Sequence, residues 1–168
     1  MRATTTHHTW ARTCLEHAGI ALVVTFLSAT PAAADATLFI GANTTPATRP
    51  VRGFAGGISL LVLGFEFEYA NTVEDPLAAA PSLQTYMGNL LVQTPTSTQL
   101  YATLGGGFYR ERLGTTQETS VGINLGAGIK FSLAGPLRVR LDYRAFVLRG
   151  SPIYQNPQRV YAGLNLAF

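Results

Sequence analysis

The segment that most narrows what this chain can fold into is a long amphipathic hairpin over 121–147. From 120 to 131 the odd positions carry Val121, Ile123, Leu125, Ala127, Ile129 and Phe131, and the even ones Ser120, Gly122, Asn124, Gly126, Gly128 and Lys130. After Leu133-Ala134-Gly135-Pro136 the alternation resumes, with Leu137, Val139, Leu141 and Tyr143 against Arg138, Arg140, Asp142 and Arg144. Period two places successive side chains on opposite faces of a sheet, one apolar and one small or charged. A helix would scatter the same residues around its circumference.

Alternating runs recur at 37–44, 52–61, 64–71, 83–93, 99–111 and 159–168, which with the hairpin makes eight candidate strands. The run 64–71 is the clearest, setting Phe65, Phe67 and Tyr69 against Glu66, Glu68 and Ala70. Connections at 45–51, 72–82, 112–118 and 148–158 are expected to be long, and those near 62–63, 94–98 and 133–136 short. Outer-membrane barrels alternate in this way between external loops and periplasmic turns. An even strand number also returns both ends of the barrel to the periplasmic side. The expected fold is therefore all-β, an eight-stranded antiparallel up-and-down transmembrane β-barrel.

Residues 1–34 read as a signal peptide that is removed, leaving 35–168 as the outer-membrane barrel domain. Arg2 and Arg12 precede an apolar run at 18–26, and Ala32-Ala33-Ala34 supplies the small residues of a cleavage site before Asp35. The apolar run is too short to span a bilayer as a helix, which takes about 20 residues. Every histidine, the tryptophan and the cysteine (His7, His8, His17, Trp10 and Cys14) lie in this leader.

Alternation alone does not say which face is inside, since a soluble lipocalin-like barrel also has eight strands and buries its apolar face. Composition favours the membrane. Charged residues are 12% of the chain, about half the ~25% of soluble domains, too few to cover a solvated surface. The opposite face carries Gly105, Gly107, Gly122, Gly126, Gly128 and Gly163, which suit a narrow lumen filled by side chains. The last strand places Leu164, Leu166 and Phe168 on its apolar face.

Four segments, Gly64-Phe65-Glu66-Phe67-Glu68-Tyr69, Gly126-Ala127-Gly128-Ile129-Lys130-Phe131, Arg140-Leu141-Asp142-Tyr143-Arg144 and Leu164-Asn165-Leu166-Ala167-Phe168, give residues 36–168 a resemblance to the small outer-membrane barrels that include the OmpA membrane domain and the OmpX-like proteins. The resemblance is one of pattern and spacing. It implies a monomeric barrel with a plugged lumen, and an assembly signal in Leu164, Leu166 and Phe168 read by the outer-membrane assembly machinery. The sequence stops at Phe168, so the periplasmic domain of OmpA itself is not expected, nor tethering to the cell wall.

Catalysis is not expected. Beyond residue 34 there is no imidazole to move protons near neutral pH, and no His or Cys for a zinc site. The glycine groups at 105–107 and 122–128 lack the Lys-Ser/Thr ending of a phosphate loop. No cofactor, metal or nucleic-acid partner is expected.

The charges divide into two sets. Glu66, Glu68, Lys130, Arg138, Arg140, Asp142 and Arg144 fall on lumen-facing positions and are expected to form an ion-pair network across the barrel, with Lys130, Arg138 and Arg140 level with the two glutamates. Arg49, Arg52, Arg110, Arg112, Arg149 and Arg159 fall at or beyond the external strand ends, together with Glu74, Asp75, Glu111 and Glu118. These six arginines are candidate contacts for the phosphates of lipopolysaccharide, since guanidinium binds phosphate bidentately. The expected function is an integral outer-membrane protein with a structural or surface-interaction role, its external loops a binding surface. A narrow pore or transport-associated protein is the alternative.

Overall fold

The structure, a computed structural model, describes residues 33–168. Nearly all of the expected signal peptide lies outside the described residues. The strands are β1 (Ala33–Asn43), β2 (Arg49–Leu60), β3 (Leu63–Thr72), β4 (Ser82–Gln93), β5 (Thr98–Leu113), β6 (Thr116–Ala134), β7 (Leu137–Leu148) and β8 (Gln158–Ala167). Each pairs antiparallel with the next, and β1 pairs with β8, so the sheet is a closed barrel in sequence order. Closure leaves no unpaired edge along the ladder, the condition under which a sheet can sit in hydrocarbon.

The seam between β1 and β8 runs from Asp35 opposite Ala167 to Asn43 opposite Arg159. Below it Ala34 and Phe168 exchange two backbone hydrogen bonds of 2.8 and 2.9 Å. The expected cleavage point before Asp35 thus falls inside β1, and a chain cut there would lose this clasp.

The apolar face points outward. Leu38 is 72% exposed and Leu104 58%, while Arg140, Arg144 and Arg159 are fully buried. A soluble barrel would require the reverse arrangement. The outward residues form a lipid-facing belt that includes an aromatic row: Phe54, Tyr69, Tyr86 and Phe108 are successive ladder partners across β2 to β5.

One connection departs from expectation. Residues 112–118 do not form a loop; β5 and β6 continue their ladder to Leu113 opposite Thr116, turning through 114–115 alone. Gly114 takes the turn with a φ of +59°, a conformation that carries no Cβ penalty only in glycine. The polar, β-branched residues Thr116 and Thr119 suit an extended hairpin as well as a loop, so composition misled here. The long external segments are therefore 73–81 and 149–157, with 44–48 shorter and 114–115 a tight turn.

Candidate functional site: a charged lumen and an arginine-bearing outer face

The lumen is filled by four levels of polar contacts, built from inward positions around the barrel. In the lowest, Lys130 of β6 donates to Asp35 of β1 at 2.6 Å. In the next Arg140 of β7 pairs with Glu66 and, at 2.9 Å, with Asp142. The Tyr101 hydroxyl accepts from Arg140 Nε at 2.7 Å and donates to Asp142. Arg144, one level higher, reaches Glu66 at 2.9 Å, Asp142 at 3.0 Å and Glu68 at 3.2 Å. Above it Arg159 of β8 pairs with Glu68 at 3.0 Å and donates to Thr85 at 3.2 Å and Asn43 at 3.3 Å. The Tyr161 hydroxyl donates to Glu68 at 2.9 Å.

Burying charges in a medium this poor in water is tolerable only when they are paired and their remaining donors satisfied. Here each guanidinium meets at least one carboxylate, and Arg159 also lies 4.7 Å from the centre of the Phe146 ring. Toward the external end the lumen turns apolar, with Leu83, Met87, Tyr109, Phe146 and Leu148 packed together. Segment 149–157 is fastened to the β5–β6 hairpin: the Tyr109 hydroxyl donates to the Arg149 carbonyl at 2.5 Å, and Glu111 and Glu118 accept from the Ile153 and Ser151 N–H groups at 2.7 and 3.2 Å. At this mouth, beyond the lipid-facing belt, burial pushes the Glu111 carboxyl up, opposed by the Ile153 and Tyr154 N–H groups and by Arg49.

Among the expected network residues, Glu66, Glu68, Arg140, Asp142 and Arg144 come together. Lys130 and Arg138 do not join them. Lys130 pairs with Asp35 instead, and Arg138, half-buried, donates to Gln99 at 3.0 Å. Counting residues up from each turn treats the strands as vertical, whereas barrel strands tilt and their depth shifts around the ring. Arg159, Tyr101 and Tyr161 complete the network and were not anticipated in it. Arg159 shares its inward parity with Tyr161 and Asn165, which was the available signal.

The expected arginine collar is smaller than six. Arg49 is only 3% exposed and donates to the Pro81 carbonyl, and Arg159 is in the lumen. Both sit on inward positions, where a charge near a strand end is still enclosed. Glu111 is buried for the same reason. Arg52, Arg110, Arg112 and Arg149 do face outward and are exposed. Exposed Arg112 lies 3.8 Å from Glu74, which is half-buried in segment 73–81. Phe168, Leu164 and Leu166 all face outward and are exposed.

No protein-family model matches this chain, and no curated protein matches it. Solved structures do. Neisserial surface protein A is 16% identical, with a TM-score of 0.62 over 82% of this chain and 96% of its own. Ail, the attachment invasion locus protein of Yersinia pestis, is 14% identical with a TM-score of 0.52, over 83% and 99%. The outer membrane enzyme PagL is 13% identical with a TM-score of 0.50, over 79% and 98%. At such identities the likeness is one of fold, and it extends over the whole described barrel and nearly the full length of each neighbour. A closed ladder of eight antiparallel strands, an apolar exterior, a charged interior and these neighbours together give this chain the fold of the small eight-stranded outer-membrane barrels.

Proposed function

We propose that this chain is an integral outer-membrane protein whose barrel is a sealed, non-catalytic scaffold for external segments and for contact with the surrounding lipid. The observation that carries this reading is the filled lumen. Arg140, Arg144 and Arg159 cross it fully buried, and the apolar cluster of Leu83, Met87 and Phe146 lies beyond them, so neither water nor ions have an obvious continuous path. The pore alternative loses support on the same ground.

Outward Arg110, Arg112 and Arg149, with Arg52, supply donors for lipopolysaccharide phosphates, and segments 73–81 and 149–157 supply the surface for other partners. Ail, of the same fold, has been crystallised with the heparin analogue sucrose octasulfate, which lends weight to an anion-binding outer surface here. The lack of histidine and cysteine beyond residue 34 favours a non-enzymatic role, although PagL has the same fold.

Planar-bilayer recording of purified protein tests the central part. A sealed scaffold gives no steady single-channel current; reproducible unitary conductance would overturn it. For assembly, Leu164, Leu166 and Phe168 are proposed as the signal read by the outer-membrane machinery. Deleting Phe168 should leave periplasmic, protease-sensitive chain, and an unchanged yield of heat-modifiable membrane protein would count against that role.

A further inference from the structure

Just above the aromatic row of the outer face lies a second row made only of hydrogen-bond donors and amides. Arg52 of β2 is the ladder partner of Asn71 of β3, Asn71 of Gln84 of β4, and Gln84 of Arg110 of β5. All four side chains share the outward parity of Phe54, Tyr69, Tyr86 and Phe108, each two residues away on its own strand. No acidic residue stands in the row. Among the described residues, no ion pair involves Arg52 or Arg110. Arg140, Arg144 and Arg159 of the lumen, by contrast, each pair with a carboxylate.

A guanidinium that faces lipid without a carboxylate must find its anion in the membrane, and the anion of a bilayer surface is phosphate. With neighbouring strands about 4.8 Å apart, the backbones of Arg52 and Arg110 lie roughly 14 Å from one another across the row. A lipid with one phosphate engages one end only. The two carboxamides between the arginines can donate and accept at once, which suits sugar hydroxyls. Beneath them Phe54 and Tyr69 have ring centres 5.5 Å apart, and Tyr69 and Tyr86 5.0 Å. That aromatic shelf is apolar on the side where acyl chains would lie.

We propose that the row Arg52, Asn71, Gln84 and Arg110 is a docking site for a glycolipid carrying two phosphates, the lipid anchor of lipopolysaccharide, with one phosphate on each arginine. This rests on the reading that outward arginines contact lipopolysaccharide, and it narrows that reading from a collar to one face. The sugar backbone lies along Asn71 and Gln84, and the acyl chains run down Phe54, Tyr69, Tyr86 and Phe108. Because the strands tilt, the site slopes, with its two ends at different depths.

The test uses the folded barrel in uncharged detergent, titrated with bisphosphorylated lipid A, monophosphorylated lipid A and phosphatidylglycerol, with bound lipid read by native mass spectrometry. Wild type should hold the bisphosphorylated form about tenfold more tightly than the monophosphorylated one, the worth of one charge-assisted contact. Arg52→Gln and Arg110→Gln should each abolish that preference, Arg52→Lys and Arg110→Lys should keep part of it, and Arg112→Gln and Arg149→Gln should leave it intact. Retention of the heat-modifiable gel shift establishes that each variant is folded, which outward substitutions are expected to allow. Preference surviving in both Gln variants overturns this site while leaving the wider collar standing. Equal binding of phosphatidylglycerol overturns the glycolipid assignment. No binding of lipid A by wild type at all overturns the collar reading and the site with it.

Discussion

Two parts of the barrel wall line the lumen on opposite plans. β3, and β7 with β8 across the ring from it, contribute Glu66, Glu68, Arg140, Asp142, Arg144, Arg159 and Tyr161, most of the charged side chains of the interior. β5 and β6, beside Tyr101 and Lys130, contribute Gly105, Gly107, Gly126 and Gly128, with short Thr103 and Asn124 between. The bulk of the first wall needs the emptiness of the second. A Cβ on Gly128 would land on the Tyr101 hydroxyl, and one on Gly126 would crowd the Thr103 methyl and the Arg144 Cδ. Tyr101 in turn bridges Arg140 and Asp142. In a barrel this narrow a buried ion-pair network is specified as much by residues that lack side chains as by those that carry charge.

Breaking the charged wall should have the largest effect. Glu66 faces Arg140 and Arg144, and Glu68 faces Arg144 and Arg159. The double substitution Glu66→Gln with Glu68→Gln leaves three buried guanidiniums with Asp142 as their main carboxylate. A cost of about 3–5 kcal/mol is expected, read as a lowered unfolding midpoint in detergent. Filling the open wall should cost less. Gly128→Ala forces Tyr101 aside and presses on the Leu141 carbonyl of the neighbouring strand, and overpacking of this kind costs about 1–3 kcal/mol; the same unfolding assay checks it. If Gly128→Ala were neutral, the glycine wall would not be what makes room for the network. The external rim, which belongs to neither wall, sets the baseline. Glu74→Gln with Asp75→Asn, which weakens the Arg112 pair and the hydrogen bonds to the Leu77 and Ala78 N–H groups at the rim, should lower stability by no more than about 1 kcal/mol.

The legible part of the fold was whatever period two could carry. Strand number, antiparallel order and the inward set of β3 and β7 follow from alternation, which is a local property of the chain. The extent of the β5–β6 hairpin does not, because Thr116, Gln117 and Thr119 are as acceptable in a ladder as in a loop. Partner choice within the lumen was legible only in part. That Glu66 would meet an arginine of β7 follows from facing positions, but that Lys130 would meet Asp35 and leave Arg138 to Gln99 depends on strand tilt. Tilt is a property of the closed barrel and leaves no local trace in the sequence. Arg49 and Arg159 show the same limit from the other side: each stands near a strand end, but parity, not nearness to the end, decides which side of the wall a charge occupies.

Whether the apolar face is turned to lipid and the polar face to the lumen is tested by Thr103 and Leu104, adjacent residues with opposite surroundings, 2% and 58% exposed. With Cys14 replaced by Ser, Leu104→Cys and Thr103→Cys would each be treated with a nitroxide thiol reagent after folding into bilayers. Accessibility to oxygen, which concentrates in hydrocarbon, and to a water-soluble nickel chelate would then be compared. Efficient labelling at Leu104→Cys, with high oxygen and low chelate accessibility, and near absence of labelling at Thr103→Cys, is the predicted result. A Leu104→Cys label that meets the chelate more readily than oxygen would contradict it.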